Sequence, residues 1–287
     1  RASVDGTRKA LLRTHDGHEI EAVLIPEESR LTLCVSTQVG CPLACSFCAT
    51  GAMGFTRNLS TAEIVDQVCR LQAVVGKDTP ITNVVFMGMG EPLLNLPAVL
   101  PALSLLVDPK GFGLAPRRVT VSTAGVVPRI GELLAAAPVN LAVSLHAATD
   151  AVRDVLVPLN RRYDLANLMG ALRDCPQITR RRPVFFEYTL IAGVNDSLED
   201  ARRLGLVQMV VDRDALESAV ADIGNEIAGA SPEAIARTKA LFLKLRHLPL
   251  RDALRVAAEE NAEARGTPDC KEGIAAFLEK RKPRWAP

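Results

Sequence analysis

From residue 31 to about 189, short apolar runs rich in β-branched residues alternate with amphipathic stretches. That alternation predicts repeated βα units around a parallel sheet. Strands are expected at 31–36, 81–87, 118–122, 140–144 and 184–189, with helices at 61–75, 97–107, 127–136 and 164–173. Ser60 and Glu63 form an S-x-x-E capping box ahead of the first helix. Upstream, 18–21 and 23–25 read as a small strand pair. Near residue 204 the pattern changes: after the apolar run 205–211 the chain is Ala-rich, with helices expected at 214–228, 232–245 and 250–265. The predicted organisation is a lead-in over 1–30, an α/β core over 31–203 and a helical tail over 204–287.

Composition narrows this picture. The chain has 287 residues, 48 % of them apolar, enough for one large core or two moderate ones. A net charge of +1 gives no global argument for a nucleic-acid partner, and the triplet Arg180-Arg181-Arg182 reads as a solvated turn before a strand. Seven cysteines without an obvious signal peptide point to a reducing compartment, the cytoplasm, where thiols stay free as ligands or nucleophiles. No apolar run reaches the roughly 20 residues that span a bilayer, so no membrane partner is expected. The first residue is Arg1 rather than Met, which suggests a start inside a longer protein.

The chemistry-bearing motifs fall where the strands end. In a parallel α/β sheet the loops after the strand C-termini form one functional face. Cys41–Cys48 follows the first predicted core strand, Gly88-Met89-Gly90-Glu91-Pro92 the second, Ser122-Thr123-Ala124-Gly125 the third and Ser144-Leu145-His146 the fourth. The loop Cys41-x-x-x-Cys45-x-x-Cys48 offers three thiolates, enough for three corners of an iron–sulfur cube. A zinc site with Cys34 as fourth ligand is the alternative. Three ligands on a cube leave one iron open to an amino acid with free amine and carboxylate, such as the methionine part of S-adenosylmethionine. Electron transfer into the sulfonium would then give a 5′-deoxyadenosyl radical.

The ordered motifs Thr32–Cys41, Cys45 with Cys48, Gly88–Pro92, Ser122–Pro128, Val143–Ala147 and Ile191–Asp196 resemble the radical S-adenosylmethionine RNA methyltransferases of the RlmN/Cfr family, over about residues 1–203. The resemblance implies a partial, open (β/α) radical-SAM barrel of five or six strands, with the last strand missing or replaced by 207–211, and an appended α-helical C-terminal region. It implies that Cys41, Cys45 and Cys48 bind a [4Fe–4S] cluster and that Gly90 and Glu91 contact the methionine end of S-adenosyl-L-methionine. Ser122, Ser144, Leu145 and His146 would hold the rest of that cofactor. Glu21 matches the family's proton-accepting glutamate and Cys34 its resolving cysteine. The implied reaction is methylation of adenine C2 in large-subunit ribosomal RNA and in tRNA, fed by an electron donor such as a flavodoxin-type reductant. The family's methyl-carrying cysteine belongs to a terminal segment, and this chain leaves the family pattern before it. Cys69, in phase with Ile64, Val65 and Val68, reads as core, and neither Cys175 nor Cys270 is expected to replace the missing thiol.

Residues 205–287 resemble the C-terminal helical part of the enoyl-CoA hydratase/isomerase (crotonase) superfamily, through Gly205-Leu206-Val207, Ser231-Pro232, Arg265–Asp269 and Glu272–Pro283. In that family the region packs between subunits and touches CoA, at positions that Phe277 and Lys280 match. The acyl-CoA oxyanion hole and catalytic acids lie upstream, so neither hydratase activity nor CoA binding is expected of the tail. The alternative to a radical enzyme is a non-catalytic fusion remnant that binds RNA or a crotonase/CoA partner.

Overall fold

The structure, a computed structural model, describes residues 2–246 and 248–285. Two compact units meet in sequence between Gln208 and Met209.

The first unit runs β1 (Arg8–Arg13), β2 (Glu19–Glu27), β3 (Arg30–Cys34), β4 (Gln38–Gly40), α1 (Ala49–Ala52), β5 (Phe55–Asn58), α2 (Thr61–Val75), β6 (Asn83–Phe86), α3 (Leu96–Val107), β7 (Val119–Thr123), α4 (Val127–Ala136), β8 (Asn140–Ser144), α5 (Asp150–Leu156), α6 (Leu165–Asp174), β9 (Val184–Glu187) and α7 (Leu198–Arg203). Seven strands form one sheet in the order β1-β2-β3-β6-β7-β8-β9, and β4 pairs with β5 apart from it. Pairing is antiparallel from β1 to β3 and parallel from β3 to β9. The parallel run stops at β9, where Phe185 and Phe186 are half exposed. The sheet is therefore an open, partial barrel.

Several expectations need correction. The segment read as a strand pair is one strand, β2, because Ile20, Ala22 and Leu24 alternate without a break into the core and pair across to β1. Residues 207–211 form no strand, so of the two alternatives for the last barrel strand, missing or replaced by 207–211, the first holds. Cys69 is exposed. On α2 the buried stripe is Ile64, Gln67, Val68 and Leu71, the i, i+3, i+4, i+7 set, and Cys69 falls about 100° past Val68. Gln67 earns its buried place by pairing both backbone groups of Ser36, accepting from its N–H at 2.8 Å and donating to its carbonyl at 2.8 Å. The Arg180–Arg182 turn is not simply solvated: Arg182 donates to the carbonyls of Ala137 at 2.6 Å and Val139 at 2.7 Å, tying the end of α4 and the approach to β8 to the start of β9.

The second unit holds α8 (Leu216–Ala228), α9 (Pro232–Leu245), α10 (Leu250–Arg265) and α11 (Pro268–Leu278). Ser231 caps α9 and Thr267 caps α11, each accepting from the N3 amide. Within it only Thr267 and Ala276 are fully buried among the described residues, and large apolar side chains such as Phe242 and Phe277 face solvent. Among the described residues no helix is long and apolar enough to cross a membrane.

Candidate active site at the strand ends

The cysteine loop is held by backbone hydrogen bonds. Gly40 takes a φ of +76°, and a Cβ there would stand 1.9 Å from the Gly54 carbonyl oxygen. Only glycine allows that approach, which lets Cys41 N–H donate to the same oxygen at 2.8 Å. Cys48 N–H turns back to the Cys45 carbonyl at 3.1 Å, and Ser46 N–H docks on the Leu156 carbonyl at the end of α5 at 3.1 Å. Cys45 packs with Leu43 against Ala124, Leu156 and Val157.

Burial pushes the Cys45 thiol up to about 11, with Cys41, Cys48 and Glu91 adding repulsion. Burial raises Cys41 as well, with Glu91 and Cys48 contributing. The three sulfurs therefore share one electrostatic neighbourhood. A tetrahedral zinc with Zn–S bonds of ~2.3 Å needs its sulfurs about 3.8 Å apart. Among the described residues no three cysteine sulfurs come within 4.8 Å of one another; His15, Asp16 and Glu63 do. Arg57 bridges Asp16 and Glu63 there, at 2.6 and 2.8 Å. Cys34 stands apart as a buried thiol raised to about 11, chiefly by burial. Three thiols on one loop are the donor set that three corners of an iron–sulfur cube require.

The Gly88–Pro92 loop packs directly on the residues after β3. A Cβ on Gly88 would meet the Val35 carbonyl and Ser36 Oγ at 2.7 Å, and one on Gly90, at φ +101°, would meet Gln38 Cβ at 2.5 Å. Ser36 Oγ accepts from Met89 N–H at 2.8 Å, and Gln38 Oε1 accepts from Glu91 N–H at 2.8 Å. The Glu91 carboxylate is buried and turned into the fold, accepting from Leu93 N–H at 3.0 Å and Ala124 N–H at 2.8 Å. Burial raises its pKa to about 7 against the pull of those amides. Glu91 thus ties the loop after β6 to the loop after β7.

Ser122, at the end of β7, and Ser144, at the end of β8, place their hydroxyl oxygens 3.4 Å apart. Both reach Glu187 Oε2 at the end of β9, at 3.2 and 3.0 Å. The sequence reading missed Glu187; the available signal was a lone acid closing an apolar strand. Leu145 and His146 N–H groups donate to the Glu187 carbonyl at 3.0 and 3.2 Å. His146 has a φ of +55°, accepts at Nδ1 from Thr189 N–H at 3.1 Å, and meets the Phe47 ring edge-on with centroids 4.7 Å apart. Burial, aided by the charge of Arg153, lowers its pKa to about 4.

Glu21 lies on β2 and Cys34 at the end of β3. Glu21 N–H contacts Met89 Sδ at 3.3 Å, and its half-exposed carboxylate pairs with Lys9 at 2.8 Å. Cys34 lies between Val23 and Val85 in the sheet register. Cys69 and Cys175 lie outside these motif loops, on α2 and after α6, and Cys270 belongs to the second unit.

The Radical SAM superfamily profile matches residues 35–205. The chain belongs to the radical SAM superfamily. Membership carries with it a [4Fe–4S] cluster and S-adenosylmethionine, and the three thiols of the cysteine loop are a donor set suited to the cluster. Over 203 residues the chain is 56 % identical to the dual-specificity RNA methyltransferase RlmN of Geotalea uraniireducens (strain Rf4), covering 71 % of this chain and 58 % of that protein. Over 202 residues it is 54 % identical to the protein of the same name from Geobacter sulfurreducens, covering 70 % and 55 %. The chain thus spans less than six-tenths of the length of these curated relatives. A crystal structure of a radical SAM methyltransferase from Sphaerobacter thermophilus matches with a TM-score of 0.66 and 46 % identity, over 72 % of this chain and 61 % of that one. The Enoyl-CoA hydratase/isomerase profile matches residues 185–287, overlapping the radical SAM match over 185–205 and taking in the second unit.

Proposed function

We propose that Cys41, Cys45 and Cys48 hold the [4Fe–4S] cluster of this radical SAM chain and that its first unit cleaves S-adenosylmethionine, as the radical-generating part of an RNA adenine-C2 methyltransferase. The observation that carries this reading is the convergence of four motif loops on one end of the sheet, each cross-tied to the next: Gln38 to Glu91, Glu91 to Ala124, Ser122 and Ser144 to Glu187.

When bound, the cluster supplies one electron to the sulfonium, breaking a C–S bond to release methionine and a 5′-deoxyadenosyl radical. The chain's own work is to hold and orient. Gly90 keeps a side chain out of the space beside Gln38, so that the loop backbone can approach the methionine end, while Glu91 fixes that loop from behind. Ser122, Ser144 and Glu187 present two hydroxyls and a carboxylate suited to ribose hydroxyls. His146, packed edge-on against Phe47, follows Ser144 at the end of β8. Glu21 is assigned as proton acceptor, its ion pair with Lys9 holding it in place, and Cys34 as the resolving thiol kept protonated by burial.

By resemblance the substrate is an adenine in large-subunit ribosomal RNA or in tRNA, the electron donor is a flavodoxin-type reductant and the setting is the cytoplasm. The methyl-carrying cysteine of that reaction finds no counterpart in residues 204–287. For this stretch of chain the proposal extends to cofactor cleavage and stops short of methyl transfer. No CoA-dependent role is assigned to the second unit.

The test is anaerobic reconstitution with iron and sulfide, then dithionite and S-adenosylmethionine. Cluster absorbance and 5′-deoxyadenosine are expected. A chain that takes up no cluster overturns the reading, and one that binds S-adenosylmethionine without cleaving it supports a non-catalytic remnant instead.

A further inference from the structure

Among the described residues Arg153 is the largest fully buried side chain, and no motif above accounts for it. It projects from α5, and its donors are spent on neutral acceptors: Nε to the Leu145 carbonyl at 3.0 Å, Nη2 to the carbonyls of Ala124 at 2.7 Å and Ser144 at 3.1 Å, and Nη1 to Asn160 Oδ1 at 2.9 Å. Among the described residues it forms no salt bridge. The nearest acids, Asp150 and Asp154, are held one step away, accepting from Asn160 Nδ2 at 2.9 and 2.7 Å. A buried guanidinium without a contacting carboxylate is costly and is kept only where its charge is used or balanced.

The missing negative charge lies toward the cysteine loop. The helix that carries Arg153 ends at Leu156, whose carbonyl receives Ser46 N–H, and Cys45 packs on Ala124, Leu156 and Val157. Cys45, once ionised as a cluster ligand, joins Asp150 and Asp154 among the acidic groups whose charge would act on Arg153. Three thiolates outweigh the two positive charges of an oxidised cube, and one electron from an outside reductant adds a further negative charge. In a low-dielectric interior that added charge is felt strongly by a nearby cation.

Resting on the assignment of the cluster to Cys41, Cys45 and Cys48, we propose that Arg153 is a positioning residue which joins the loops after β7 and β8 to the floor of the cluster loop and, as its buried counter-charge, favours the reduced cluster. Asp150 and Asp154 temper that charge through Asn160. His146 stays neutral beside it, and Glu91 and Glu187 are the carboxyl groups on the facing loops.

The test is an EPR-monitored redox titration of the reconstituted chain and its Arg153→Gln, Arg153→Lys and Asp154→Asn variants, with iron content and circular dichroism as controls. At a fixed poise, Arg153→Gln should lower the ratio of reduced to oxidised cluster at least tenfold, about 59 mV for one electron. Arg153→Lys should restore most of it, and Asp154→Asn should move it the opposite way. A merely structural role predicts no opposite shift. If Arg153→Gln fails to fold, the Asp154→Asn shift decides by its sign. A loaded wild type with unshifted variants, or an Asp154→Asn shift in the direction of Arg153→Gln, overturns this inference alone. A wild type that takes up no iron overturns the cluster assignment and this inference with it.

Discussion

Ser144 Oγ lies 3.0 Å from Glu187 Oε2, and Ser122 Oγ is 3.2 Å from the same oxygen, so three successive strand ends meet at one carboxylate. Hydroxyls can turn from donor to acceptor, whereas an ionised carboxylate only accepts. The trio can therefore open to take a pair of ligand hydroxyls without leaving a polar atom unpaired. Glu187→Ala is expected to weaken S-adenosylmethionine binding by about 1.5–3 kcal/mol, roughly ten- to hundredfold. Glu187→Gln should cost less, since it keeps an acceptor. Equilibrium dialysis on the reconstituted protein measures this, and unchanged affinity in Glu187→Ala would remove Glu187 from the site.

Gly40 and Gly54 share a positive φ but differ in surroundings. A Cβ on Gly54, at φ +75°, meets nothing within 4 Å, whereas one on Gly40 strikes the Gly54 carbonyl, a backbone atom that cannot swing aside. Gly54→Ala should cost only the left-handed strain, about 1–2 kcal/mol. Gly40→Ala should cost at least about 3 kcal/mol, because strain and clash add and the Cys41 N–H bond is lost. Urea midpoints of the two variants compare them directly; equal losses would mean the loop does not rely on this close approach.

Legibility in the sequence followed local signals. α2, α4 and β8 keep the predicted limits because α2 carries a capping box, α4 an apolar stripe with Pro128 in its first turn, and β8 a short buried apolar run of Leu141, Ala142 and Val143. The loops after the strands were visible because Gly, Cys and Ser interrupt otherwise apolar runs. What escaped depends on partners distant in sequence. β1 exposes four of its six residues and becomes a strand by pairing with β2. α5 is only seven residues long, and Thr149 caps it while Arg153 anchors it to three other loops. Glu187 gains its place in the site only when β9 lines up beside β8.

Glu91 offers a sharper test of how the loops are joined. Both carboxylate oxygens accept backbone N–H groups in a buried setting. Glu91→Gln keeps one acceptor but turns an amide NH₂ toward the other N–H, leaving two donors facing each other. A loss of about 1–3 kcal/mol is expected, the cost of a buried unsatisfied donor. Denaturant unfolding measures it; a neutral effect would mean that Glu91 does not tie the two loops together.

His146 predicts a pH dependence whose sign follows from its hydrogen bond. Thr189 N–H donates to Nδ1, so that nitrogen carries no proton, and the neutral ring keeps its hydrogen on Nε2. Burial first, and the Arg153 charge second, lower the pKa to about 4, and protonating Nδ1 would besides set two donors against each other. Between that value and the ordinary value of about 6.5, the unfolded chain binds more protons than the folded one. Stability from this group is therefore complete above about pH 6.5 and drains away as the pH falls toward 4. Asn tolerates the left-handed backbone that His146 adopts at φ +55°, and its carbonyl can receive the Thr189 amide. His146→Asn should thus flatten the loss of stability between pH 7 and pH 5, while the acids elsewhere titrate equally in both proteins. Urea unfolding at the two pH values gives the difference, and parallel losses would show that His146 accepts a proton freely. A ring held neutral offers an N–H at Nε2 rather than a base, which leaves proton acceptance at this face to a carboxylate and fits the assignment of that role to Glu21.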